Sequence, residues 1–227
     1  MKEESKAIQE LAKTTGKAIE AAREAGGFIA KFIAGPLEQG VGIFEDRLKY
    51  MRWERQVRLM HRAEELLKLS GLKAPNRPVP IKIAIPIMQG ATLEEDDLLQ
   101  DRWAALLVNA GNASFLGEIR RSYASILEQL TSLDARILDV LYSLPFDQSQ
   151  HNGIVTAELP DKARIREEKE KGETELPSEE IVIALSNLAR LGCLRPGMTW
   201  GGGESYRKVN PTIAGKAFVM ACRVHGA

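Results

Sequence analysis

Few side chains in this sequence are of the right type and spacing to do chemistry. The three histidines, His61, His151 and His225, are far apart, and no HxxxH or CxxC spacing exists to suggest a metal-ligand set. The two cysteines, Cys193 and Cys222, do not imply a disulfide scaffold, and Cys193, one residue past a helix-ending glycine, is expected to be buried. The run Glu94, Glu95, Asp96, Asp97 has the density of a divalent-cation site. It also stands where a helix begins, and acids in a first turn favour the positive end of the helix dipole, which is the cheaper explanation. Gly201-Gly202-Gly203 lacks the Lys-Ser/Thr and strand-to-helix setting of a phosphate loop and reads as a hairpin tip. No catalytic residue, cofactor-binding residue or metal ligand is therefore assigned, and a non-enzymatic protein without cofactor is expected.

Two kinds of contact residue remain. Phe28, Ile29, Phe32 and Ile33 sit in a glycine-interrupted stretch, 26–44, with Lys31 between them. They suit either a close helix contact in a core or an interfacial helix lying in lipid. Arg52, Arg55, Arg58 and Arg62 form a basic row along one helix; the plainer reading is a solvated face paired to Glu54, Glu64 and Glu65, the sharper one a phosphate or acidic partner. Arg195, Arg207 and Lys208 on a later hairpin are further candidates for nucleic-acid or acidic-partner contact.

The elements that position these groups follow from apolar spacing. The most distinct is the helix 93–110, whose stripe of Leu98, Leu99, Trp103, Leu106 and Leu107 is broad enough for a central core element, with Leu99, Trp103, Leu106 and Leu107 as its hub. Before it come an amphipathic helix over 3–25, a long helix over 37–69 and a short helix over 81–87, where Pro86 forbids a central strand. After it, Ser114 predicts the cap of a helix over 115–130 with Phe115 and Ile119 inward. Residues 134–144 and 178–191 are helical in pattern, the latter with Ile183 buried; 194–200 and 206–209 read as paired strands, and 212–224 as a last helix carrying Ile213, Phe218, Val219 and Ala221. Between the helices, 147–176 is polar, a solvated or mobile insert.

This order predicts a mainly α protein: a helical domain over 1–130, then a winged-helix-like α+β module over 131–227. A winged helix places the helix before its hairpin against DNA. Here that end carries Glu173, Glu175, Glu179 and Glu180, which would repel phosphates, so nucleic acid is the less favoured partner. Charge is balanced, 31 Lys+Arg against 31 Asp+Glu, but residues 158–180 carry net −4 and residues 181–227 net +5. No run of 18 apolar residues and no signal-peptide core occur, so a cytoplasmic protein is expected, peripheral to the inner membrane if 26–44 meets lipid.

Four stretches in order carry a family resemblance. They are Gly35-Pro36-Leu37-Glu38-Gln39-Gly40 with Asp46, Arg47 and Tyr50; Pro80 to Ile87; Leu98 to Ala110; and Tyr123 to Leu130 running into Asp134 to Leu138. Together they cover about 35–140 and resemble the bacterial abortive-infection alpha family, a group tied to phage defence. The resemblance implies a phage-defence protein that works through protein or membrane contacts, self-association included, and it brings no catalytic residue with it. A DNA-binding regulator acting through the second module is the alternative.

Overall fold

The structure is a computed structural model, and its described residues are 20, 23–24, 27–28, 30–32, 53–167, 169–170, 172 and 174–224. The helix expected over 3–25 falls largely outside them, as do the 37–52 part of the long helix, Ile29, Ile33, Arg52, Glu173 and His225. The chain divides into two units, residues 1–128 with 222–227, and residues 129–221.

The described part of the first unit is helical. Helix α1 (Trp53–Leu69) buries Leu59, Ala63, Leu66 and Leu67 at helical spacing. It ends on Gly71 at φ +73, whose N–H reaches the Lys68 carbonyl while Leu72 N–H reaches Leu67, so two otherwise orphaned carbonyls are satisfied. Helix α2 (Ile81–Leu93) tolerates Pro86 in its second turn and buries Ile83, Ala84, Ile87, Met88 and Ala91. Helix α3 (Asp97–Ala110) starts at the acidic run: the Asp96 carboxylate accepts from Leu99 N–H at 2.9 Å. Leu99, Trp103, Leu106 and Leu107 are all buried, each such side chain contributing roughly 1.5–3 kcal/mol on removal from water. Leu98 does not join them; in the first turn of α3 it is 38% exposed. Gly90 of α2 lies directly on the Trp103 ring, where a Cβ would come within 3.0 Å of the indole, so only glycine permits this approach.

The helix expected over 115–130 shortens to α4 (Arg121–Leu127). Ser114 is not its cap, because Asn112 Oδ1 accepts from Ser114 N–H at 2.9 Å and turns the chain there. Phe115 and Ile119 accordingly lie in a loop, half-buried, and Leu116 is exposed.

In the second unit, helix α5 (Ser132–Ser143) opens with a capping box: Thr131 Oγ1 accepts from Asp134 N–H, and the Asp134 carboxylate accepts from Thr131 N–H. The stretch read as a polar insert instead holds helix α6 (Phe146–Asn152) and strands β1 (Ile154–Val155) and β2 (Arg164–Ile165). Two of its apolar side chains, Ile154 and Val155, are buried in β1. Helix α7 (Glu179–Arg190) buries Ile181, Ala184, Leu185 and Leu188, but Ile183, off that stripe, is 64% exposed. Gly192, at φ +75, closes α7 as Gly71 closes α1. Strands β3 (Leu194–Met198) and β4 (Glu204–Pro211) form the hairpin, and helix α8 (Ile213–Ala221) follows, with Phe218 and Val219 buried and Ile213 exposed. The antiparallel sheet runs β2-β1-β4-β3, which puts Pro196 on an edge strand, where its missing N–H is harmless. The fold is thus mainly α with a small antiparallel sheet.

Tyr142 ties this unit together. Its hydroxyl donates to the Cys193 carbonyl and accepts from Thr212 N–H at 3.1 Å, which links α5 to the starts of β3 and α8.

Candidate functional site: a basic cleft in the helical unit

The arginine row is an internal ladder. Arg55 pairs with Asp97 at 2.5 Å, Arg58 with Asp97 and Asp101 at 3.2 and 3.0 Å, and Arg62 with Asp101 and Glu65 at 3.0 and 2.8 Å. The acid partners expected from neighbouring turns of the same helix are replaced, apart from Glu65, by the facing acids of α3. Burial of Leu59, Ala63 and Leu66 brings the row opposite Asp97 and Asp101. The Glu65 hydrogen bond, aided by Asp101, raises the pKa of Arg62. Gln100, fully buried, joins α3 to both α1 and α2: its Nε2 donates to the Ala91 and Arg55 carbonyls at 2.8 and 3.1 Å, and its Oε1 accepts from Arg58 at 2.8 Å. The acidic run is consumed as well. Glu94 accepts from Asp96 N–H, Asp96 caps α3, and Asp97 holds the arginines. Arg55 is therefore an internal contact and not a free cation for a partner.

Four further cations of this unit gather at a cleft that sequence reading did not single out. It has a volume of about 710 Å³ and lies where the start of α2, the end of α3 and the loop into α4 converge. Arg77, Lys82, Arg120 and Arg121 face it, against a single carboxylate, Glu118. Arg77 is fixed by the end of α3, donating to the Ala110 and Asn109 carbonyls at 3.0 and 2.8 Å. Those carbonyls are the negative end of the helix dipole, which partly offsets the guanidinium. Arg120 meets Glu118 at 3.3 Å. No described residue pairs with the side chain of Lys82 or Arg121, and both are exposed. Val79, Ile83 and Ile119 supply an apolar wall. The signal in the sequence was weak: four cations spread over 45 residues, separated by prolines and by a loop read as helix.

The other expected contact residues lie elsewhere. Phe28 and Phe32 are buried, with ring centroids 5.2 Å apart, and the Phe32 ring faces Gly111 and Pro75. They do not form an open lipid-facing surface, because the Phe32 carbonyl accepts from Val79 N–H at 2.7 Å and seats the segment on the helical unit. On the hairpin, Arg195 is exposed. Arg207 is turned toward its own unit, donating to the Thr174 carbonyl at 2.6 Å, and the Lys208 stem covers Gly153. His61 and His151 are exposed. Cys193 is buried, and that burial pushes its thiol up to about 12.

Among the described residues no group of three or more His, Cys, Asp or Glu is arranged to hold a metal ion, and no helix is long and apolar enough to cross a membrane. The family model described as abortive infection alpha matches residues 54–222, about three quarters of the chain. The match runs well past residue 140, where the resemblance read from the sequence stops, and takes in both units. No curated protein matches the chain, and no solved structure does.

Proposed function

The chain belongs to the abortive infection alpha family, and from that premise we propose that it is a non-enzymatic phage-defence protein acting through contacts with a protein partner or a second copy of itself. The family match over 54–222 is the observation that carries this reading. The chemistry of the described side chains agrees with it: the carboxylates nearest each other cap a helix or hold arginines, and the buried Cys193 thiol is held neutral. The test is phage challenge of an isogenic pair of strains with and without the gene, measuring burst size and survival of infected cells. A reduced burst with early death of infected cells is expected. Equal burst and survival across a broad phage panel would remove the reading.

Residues 129–221 favour a second reading, a DNA-binding regulator, by their order of helix, strand, helix and hairpin. Against it stand Glu179 and Glu180 at the start of α7 and the inward hold on Arg207. Salt-sensitive binding to duplex DNA that is lost in Arg195→Glu would promote this alternative.

A further inference from the structure

We propose that the cleft between the start of α2, the end of α3 and the loop into α4 binds a phosphorylated small molecule with a compact apolar body. Four cations and one carboxylate leave an excess of positive charge in one recess. Like charges gathered this way repel one another, and an anion of more than one charge relieves that repulsion at every side chain together. The distribution within the cleft matters more than the total. Arg77 is held by two carbonyls, and Arg120 meets Glu118 in an exposed ion pair. Lys82 and Arg121 face the same space with no described partner. That is one anchored cation, one in an exposed pair and two available ones lining the same cleft. Arginine and lysine in combination suit phosphate, the first as a planar fork and the second as a point charge.

Size and lining narrow the class. About 710 Å³ lies within the range of clefts that enclose a small ligand, roughly 300–1,000 Å³. A volume of this size suits a mononucleotide-sized molecule or a lipid headgroup. Val79, Ile83 and Ile119 give such a molecule an apolar surface beside its phosphates. The site is independent of the phage-defence reading: it rests on charge and shape alone, and the binding experiment stands whether or not the strain resists phage.

The experiment is isothermal titration of the full chain with inorganic pyrophosphate and with adenosine triphosphate, paired with co-sedimentation on phosphatidylcholine vesicles with and without phosphatidylglycerol. Lys82→Glu and Arg121→Glu are compared with the wild type and with Lys162→Glu, an exposed reversal in the other unit. Circular dichroism and thermal melts establish that each variant is folded. Binding of a soluble probe, weakened about tenfold or more by each cleft reversal and unchanged in Lys162→Glu, is expected, as is a fall in affinity with added salt. Vesicle binding that needs phosphatidylglycerol and is lost in the same two variants identifies the headgroup as the source of the phosphate. Absence of binding in both arms, or binding indifferent to both cleft reversals, overturns the proposal.

Discussion

Replacing Gly215 by alanine sets helix propensity against packing, and the structure decides which wins. Gly215 is in the first turn of α8, its N–H donating to the Thr212 hydroxyl at 2.9 Å. Alanine in a helix is worth up to about 1 kcal/mol over glycine, so propensity alone predicts a more stable protein. A Cβ here, however, would fall inside hard contact with the Tyr142 hydroxyl and the Cys193 carbonyl oxygen, and 2.9 Å from the Cys193 carbonyl carbon. Two of those atoms are backbone and can yield only if β3 moves. Overpacking of this kind costs about 1–3 kcal/mol. Displacing the Tyr142 hydroxyl also breaks its bonds to Cys193 and Thr212, at about 1–3 kcal/mol for the polar groups left unpaired. The net expectation is a loss of about 2–4 kcal/mol, or about 10–30 °C in the melting temperature of a unit of this size. Calorimetry with hydrogen exchange by mass spectrometry localises the loss to residues 129–221. Tyr142→Phe in the same chain removes one of the two obstacles, so the double variant should lose less than the sum of the singles yet stay well below wild type. A Gly215→Ala protein as stable as wild type, or more so, would refute the packing argument.

Three further outcomes follow from the same geometry. Asp101→Asn removes one ion pair from each of Arg58 and Arg62, leaving Arg58 with Asp97 and Arg62 with Glu65; because all three side chains are about a third exposed, the loss is about 1 kcal/mol or less, larger in low salt, and urea titrations at two ionic strengths check both points. Thr131→Ala removes the cap of α5 and one partner of the buried Asp134 carboxylate, costing about 1–2 kcal/mol by thermal denaturation, and an unchanged midpoint would count against the capping box. Burial, the largest cause, pushes Tyr142 up to about 12 from 10.0 and Cys193 up to about 12 from 9.0. Both are neutral when protonated and both pKa values are raised by folding, so their contribution is complete below pH 9.0 and is lost as pH climbs toward about 12. Tyr142→Phe should flatten the stability slope between pH 10.0 and about 12, and an identical slope would mean that the tyrosine does not titrate as described.

The sequence made the apolar hub, the glycine ends of α1 and α7 and the hairpin readable, because each depends on residues a few positions apart. Trp103 and Leu106 repeat at helical spacing, and Gly71 and Gly192 fall just past such repeats. The partners of the arginine row were not readable in that way, since Arg58 and Asp101 meet only after two helices dock. Gln100 looked like an ordinary polar residue of a helix, yet burial makes it the cross-link of three. The shortened α4 shows a local rule losing to a stronger local one: Asn112 took the turn that Ser114 was expected to begin. The cleft was hidden for the same reason as the ladder, its cations belonging to three separate stretches of chain. Leu98 and Ile183 kept the right composition but fell just off the buried stripes, which periodicity places to within one residue at best.

The side-chain amide of Asn109 donates to the Arg223 carbonyl at 2.8 Å, so the last described residues are stitched to the end of α3. The chain leaves the first unit after residue 128 and returns to it at residue 222. A premature stop after Ala221 would spare the sheet and injure the helices at the opposite end of the gene.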